Sequence, residues 1–186
     1  MGNKGKKSTG IAIIIIALVL LLVWEHFADG SDNPTYAVQT RECKITPLFS
    51  PDDDCSDAIV DCINNAQKTV DVSIYTFTSR PISNALVRAN KRGVSVRVIM
   101  DREQSAGHYS KKRYLHNSGI PVRVHIGDGL MHNKFAVIDT QIVITGSYNW
   151  TASAQKYNFE NIVIIESPEV AKIYQKEFGK LWKKFE

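Results

Sequence analysis

The feature that most constrains the fold is a repeated switch between strand-like and helix-like periodicity. Thr69 to Phe77 sets Val70, Val72, Ile74 and Thr76 opposite Asp71, Ser73 and Tyr75, the period-two pattern of a strand. Further strand-like stretches are Cys43 to Phe49, Val94 to Met100, Pro121 to Ile126, Lys134 to Asp139, Gln141 to Thr145 and Ile162 to Ile165. Helical stretches lie between them. One begins at Pro51-Asp52-Asp53-Asp54, where carboxylates suit a first turn, and carries Ile59, Ile63 and Ala66 on one face. Pro81 to Lys91 is stopped by Gly93, and Tyr109 to Asn117 ends before Gly119. Val170, Ile173, Tyr174, Phe178, Leu181, Trp182 and Phe185 define an amphipathic C-terminal helix. Such alternation predicts a single α/β domain from about residue 38 to 186. The chain is 44% hydrophobic with 11 Gly and 6 Pro, which excludes disordered and collagen-like classes.

The first thirty residues have another composition. Lys4, Lys6 and Lys7 precede an apolar run, Ile11 to Trp24, that is shorter than the roughly 20 residues of a bilayer span. Counting from Gly10 through Ala28 extends it to 19 residues. His26-Phe27-Ala28 fits a cleavage site poorly, so an uncleaved anchor is preferred over a cleaved signal. The lysines before the run, against Glu25, Asp29 and Asp32 after it, predict a basic side held in the cytoplasm. The expected organisation is a signal-anchor at 1–28, a polar linker at 29–37 and a catalytic domain at 38–186. The expected location is a bacterial inner membrane with the domain periplasmic or extracellular, or secretion if the signal is cleaved.

The decisive stretch for chemistry is Met131 to Asn149. His132 and Lys134 are two apart at the entrance to a strand, which puts both side chains on one face. Ser147 and Asn149 are two apart just beyond the next strand, and a hairpin through Thr140 and Gln141 brings the two pairs to one sheet edge. An imidazole, an ammonium, a hydroxyl and an amide together suit a phosphodiester. The imidazole can act as nucleophile or general acid. The ammonium is a point charge for non-bridging oxygens, and the hydroxyl and amide donate to charge that builds in the transition state. The net charge is +4, and ten bases lie between Arg80 and Arg123. They predict a positive field for a polyanionic substrate, with solvated helix faces as the alternative. Lys111, Lys112 and Arg113 are the candidate substrate-binding cluster.

His132-Asn133-Lys134, four residues, Asp139, six residues, then Gly146-Ser147-Tyr148-Asn149 closely resemble the phospholipase D superfamily motif H-x-K-x4-D-x6-G-S-x-N. Tyr75-Thr76-Phe77-Thr78 and Asn158 to Ile162 extend the resemblance, the latter supplying an acidic partner, Glu160. With one such motif the chain is similar to the family's small bacterial endonucleases and its mitochondrial phospholipase D-like type. The resemblance implies a mixed β-sheet flanked by helices and a metal-independent phosphodiesterase without cofactor. It also implies a homodimer in which two copies of His132 form a phosphohistidine and protonate the leaving oxygen. The catalytic candidates it gives are His132, Lys134, Ser147, Asn149, Glu160 and Asp139, with Asp139 more structural than catalytic and Glu160 bonded to an imidazole. The leading expectation is a membrane-tethered endonuclease acting on DNA or RNA. The alternatives are a phospholipase D acting on membrane phospholipid and a non-catalytic nucleic-acid-binding module.

His108, His116 and His125 read as surface or edge residues. Cys43, Cys55 and Cys62 lack the spacing of a zinc site. Cys55 and Cys62 are too far apart along a helix to bridge, so an exported domain would pair Cys43 with Cys55; free thiols are the alternative.

Overall fold

The computed structural model describes residues 43–185. Seven strands form one sheet: β1 Lys44–Ser50, β2 Thr69–Ile74, β3 Ser95–Met100, β4 Val122–Val124, β5 Lys134–Ile138, β6 Ile142–Gly146 and β7 Glu160–Glu166. Their order is β1-β7-β6-β5-β2-β3-β4. β2, β3 and β4 are parallel, while β5, β6, β7 and β1 join antiparallel, so the sheet is mixed.

Both faces are covered. Helices α1 (Cys55–Asn65) and α2 (Arg80–Lys91) bury Ile59, Ile63, Ile82 and Leu86 against Val70, Val72, Ile74, Ala136 and Ile138. The C-terminal helix α6 (Pro168–Lys184) packs Ala171 and Phe178 on the other face, against Ile99, Phe135, Val137 and Val143. Period-two alternation sends each strand's neighbours to opposite cores. The helix starts follow side-chain capping: Asp54 accepts from the Asp57 amide, Ser79 from Ile82 and Ser167 from Val170, each worth about 1 kcal/mol. Two short helices, α3 (Arg102–Ala106) and α5 (Ala152–Lys156), were not expected, and α4 begins at Lys112 rather than Tyr109, running Lys112–Asn117.

The polar positions of β2 are not solvent-facing. Asp71 is 1% exposed and pairs with Arg97, its register partner on β3, through two 2.7 Å hydrogen bonds. Gln175 of α6 also donates to Asp71, and the Arg97 guanidinium lies 5.0 Å from the Phe178 ring and 5.2 Å from Trp182. One buried carboxylate thus ties two strands to α6. His125 is also buried, edge-on to Phe185, and is not a surface residue; His108 and His116 are exposed.

Two sequence expectations are corrected here. Among the described residues no helix is long and apolar enough to cross a membrane. The longest, α6 with 17 residues, is amphipathic, its outer face carrying Lys172, Lys176 and Lys180. The apolar run Ile11 to Trp24 lies outside the described residues. The transmembrane helix, the membrane as a partner through that helix and the inner-membrane location are therefore withdrawn. The Cys43–Cys55 disulfide is also absent: all three cysteines are free thiols. β1 separates that pair by about 20 Å along the chain, and a bridge needs Cα atoms within about 7 Å. Burial, reinforced by Asp53 and Asp54, pushes the Cys55 thiol above its ordinary range.

Candidate active site

One edge of the sheet collects the ends of β2, β3, β4, β6 and β1 and the starts of β5 and β7. His132 is exposed one residue ahead of Asn133, and Lys134 opens β5 opposite Ile74. The Lys134 Nζ lies 3.2 Å from His132 Nδ1 and 3.3 Å from Nε2, and donates to the His132 carbonyl at 3.0 Å. Burial lowers the Lys134 pKa from its ordinary value, while the nearby Glu160 carboxylate opposes that shift.

The β5–β6 hairpin delivers the second pair. Its turn is Asp139-Thr140, both at φ 53°, closed by Gln141 N–H donating to Ile138 at 2.9 Å; the sequence had placed it one residue later. Left-handed backbone is unfavourable for a β-branched residue such as Thr140, and Asp139 helps to hold it. Its carboxylate accepts backbone N–H bonds from Gln67, Lys68 and Thr69 at 2.7–2.8 Å. Asp139 therefore stands at the far end of β5, about 16 Å from Lys134, and its place among catalytic candidates is corrected to an anchoring one. Burial pushes its carboxyl pKa up, but the three amide bonds outweigh this and hold it below the ordinary value. A depressed pKa makes the contribution to stability present above the ordinary aspartate pKa, and lost as pH falls through the depressed one. Asp139→Asn should lower stability at neutral pH by about 1–3 kcal/mol and shrink that loss on acidification. Denaturant melts at pH 7 and pH 3 would show it, with small-diester hydrolysis nearly unchanged.

At the site end of β6, Gly146 is required by close approach: a Cβ there would collide with the Asn161 carbonyl. That carbonyl accepts from the amides of Ser147 (3.1 Å) and Tyr148 (3.3 Å), which turns the chain across the start of β7. Ser147 Oγ donates to Glu160 at 2.5 Å and accepts from the Asn161 amide at 3.1 Å. Glu160 also accepts from Asn158 Nδ2. The carboxylate is thus bonded to Ser147 and Asn158 rather than to an imidazole, and the hydroxyl proton points at Glu160. Asn149 Oδ1 accepts from the Thr76 amide at 3.2 Å, so the donating end of this amide is its NH2.

Tyr75 is a site residue whose contacts the sequence did not assign. Its ring centroid is 4.4 Å from that of His132, and Lys134 Nζ is 5.2 Å from the same ring. Its amide donates to Asn133, the residue between His132 and Lys134. The β2–β5 register makes these contacts, because it sets the residue after Ile74 opposite the residue before Lys134; alternation along β2 marks only the face of Tyr75. Lys111 reaches the same edge through its amide, which donates to Phe77; Lys112 and Arg113 follow, exposed, on α4.

The expected homodimer is also corrected. The resemblance implied it from the single motif, and with no spanning helix among the described residues a tethered assembly is not supported. His132, Lys134, Ser147, Asn149 and Glu160 are brought to one edge within a single chain. Among the described residues no group of three or more His, Cys, Asp or Glu is arranged to hold a metal ion.

Comparison with known proteins agrees with this geometry. A family model described as "Cardiolipin synthase, PLD-like domain" matches residues 59–182. A mitochondrial cardiolipin hydrolase of Xenopus tropicalis is 39% identical, over 99% of this chain and 92% of that protein. A phospholipase D of Rickettsia bellii is 36% identical over 94% of each. Among solved structures, Nuc of Salmonella typhimurium, a phospholipase D family member, superposes with a TM-score of 0.73 and 32% identity, covering 76% of this chain and 95% of that one. NucT of Helicobacter pylori gives a TM-score of 0.73 at 27% identity, covering 76% and 97%.

Proposed function

Because the chain belongs to the phospholipase D superfamily and is a metal-independent phosphodiesterase of it, we propose that its substrate is a membrane phospholipid, with a cardiolipin-type diester the first to test. The observation that carries this reading is similarity along almost the whole chain to a cardiolipin hydrolase and a phospholipase D. Behind it stands a site of phosphate-binding groups at an open sheet edge.

In this reading a ring nitrogen of His132 attacks phosphorus. A P–N bond forms as the P–O bond to the leaving alcohol breaks, and the departing oxygen takes up a proton from solvent, which the attacking water of the second step gives back. Water then attacks the phosphohistidine, releasing the phosphomonoester and restoring the imidazole. Lys134 and the Asn149 NH2 bind the non-bridging oxygens, where charge develops. Tyr75 packs against His132 and positions it, while Glu160, Ser147 and Asn161 form the network beside it.

Vesicles of phosphatidylcholine with and without cardiolipin, single-stranded DNA, duplex DNA and RNA, each with EDTA, form the test. Phospholipid cleavage is expected. Cleavage of nucleic acid alone would overturn the reading.

Lys134 makes a pH prediction. Its ammonium is required, and its pKa lies below the usual 10.5. Activity should therefore fall on an alkaline limb below the ordinary lysine range. Glu160 supports the charged form, so Glu160→Gln should move that limb lower still. A pH–rate profile on a small diester checks both.

A second reading, nucleic acid cleavage, is favoured by the basic cluster entering the rim at Lys111 and by the likeness to Nuc. It predicts that Lys111→Ala/Lys112→Ala/Arg113→Ala weakens DNA binding and flattens its salt dependence, by about 0.7–0.9 in log–log slope for each phosphate left unneutralised. Hydrolysis of bis(p-nitrophenyl) phosphate should stay nearly constant. Normal DNA cutting by the triple variant would remove this cluster from the reading.

A further inference from the structure

The edge that holds His132 also holds apolar side chains that the fold leaves in water. Ile126 (59% exposed) and Leu130 (58%) flank the Gly127-Asp128-Gly129 turn, and Leu130 is two residues before His132. On the other side, Tyr157 (77%) and Phe159 (91%) lie between α5 and Glu160. Phe49 of β1, also exposed, stands opposite Asn161.

Both loops are held at their roots. The first is fixed by His125, whose amide donates to Met100 and whose ring packs on Phe185, and by the Met131 amide, which donates to Asp101. The second is fixed by Tyr157 and Asn158 amides donating to the Ser153 carbonyl, and by Ser50 Oγ donating to the Asn158 carbonyl. Fixed roots make outward presentation of these side chains a property of the fold. Large apolar side chains held outward in two loops beside one phosphodiester site mark that edge as an interaction surface.

We propose that these two loops are the surface by which the enzyme docks on an anionic phospholipid bilayer, seating Ile126 and Leu130 on one side of the site and Tyr157 and Phe159 on the other. This rests on the phospholipid reading above. Two observations select the occupant. The loops bracket a phosphodiester-binding site, so whatever covers them must bring a phosphate to His132. In a bilayer, phosphates lie at the level where flanking apolar side chains enter the acyl boundary. The rim also carries the exposed bases Arg80, Arg102, Lys112, Arg113 and Lys156 and the half-buried Lys111, suited to anionic headgroups. The acids Asp128 and Glu103 on the same edge oppose them in part.

The test compares Ile126→Ser/Leu130→Ser and Tyr157→Ser/Phe159→Ser with the unaltered chain. Flotation with phosphatidylglycerol–phosphatidylcholine vesicles reads binding. Cleavage of cardiolipin in such vesicles reads interfacial turnover, and bis(p-nitrophenyl) phosphate reads the site alone. Each double variant should bind vesicles at least roughly tenfold more weakly, as loss of two partly inserted apolar side chains implies. Vesicle turnover should fall in proportion while the soluble diester is cut at the original rate. Undiminished flotation would overturn the proposal. So would an equal loss on the soluble diester, or a change in sedimenting mass showing that the loops cover a second copy of the chain. If the unaltered enzyme ignored every phospholipid, the substrate reading itself would fail. If it cut vesicles and both variants did so equally well, only the docking surface would.

Discussion

His132→Ala should abolish phosphodiester hydrolysis while leaving the fold intact. In the proposed mechanism the imidazole forms and then releases the covalent bond to phosphorus, and among the described residues no other histidine lies beside Lys134 and Tyr75: His125 is buried against Phe185, His108 packs on Tyr109, and His116 is on α4. Deleting a covalent nucleophile costs about four to six orders of magnitude in kcat. Lys134 and Asn149 would still bind phosphate, so KM should move far less than kcat. The side chain is exposed, touching the Tyr75 ring and Lys134, so stability should change by less than about 1 kcal/mol. Rates on a phospholipid and on a small diester, with a thermal melt as control, check this. Retention of more than about one per cent of kcat would remove His132 from the nucleophile's role.

Gly146→Ala carries the largest expected effect on the fold. The new methyl would meet the Asn161 carbonyl, which is backbone and cannot swing aside. Relief requires β6 and β7 to separate just where Gly146 pairs with Ile162, and where the Asn161 carbonyl accepts from Ser147 and Tyr148. Overpacking of about 1–3 kcal/mol and two weakened hydrogen bonds at about 1 kcal/mol each sum to about 3–5 kcal/mol. For a domain of this size that is a fall in Tm of roughly 10 °C or more. Ser147 and Asn149 follow directly, so activity should fall in whatever fraction stays folded. A thermal melt decides it, and an unshifted Tm would mean the strands give way easily.

The part of the site carried by spacing was legible before the structure. His132 with Lys134 and Ser147 with Asn149 are joined by one hairpin, and a hairpin's register follows from local alternation. The turn was misplaced by one residue because its left-handed positions, Asp139 and Thr140, are held by amides of residues 67–69, which sequence proximity does not reveal. The contacts of Tyr75 with His132 and Lys134 depend on β2 pairing with β5, a contact between segments some sixty residues apart in sequence. The partner of Glu160 was misjudged because its reach depends on the β6–β7 register, which brings Ser147 within 2.5 Å. Alternation put Asp71 on the face opposite Val70 and Val72 but could not show that α6 covers that face and that Arg97 pairs with the carboxylate. The short helices α3 and α5 are one turn each, too short for a periodic signal.

The most direct measurement of the central claim is rapid quenching of the enzyme with cardiolipin labelled at phosphorus, in EDTA, followed by peptide mapping. The account predicts turnover under these conditions and an acid-labile phosphorus adduct on the peptide containing His132, missing from His132→Ala. Turnover that stops in EDTA and returns with Mg²⁺, or steady turnover with the adduct on another residue, would contradict it.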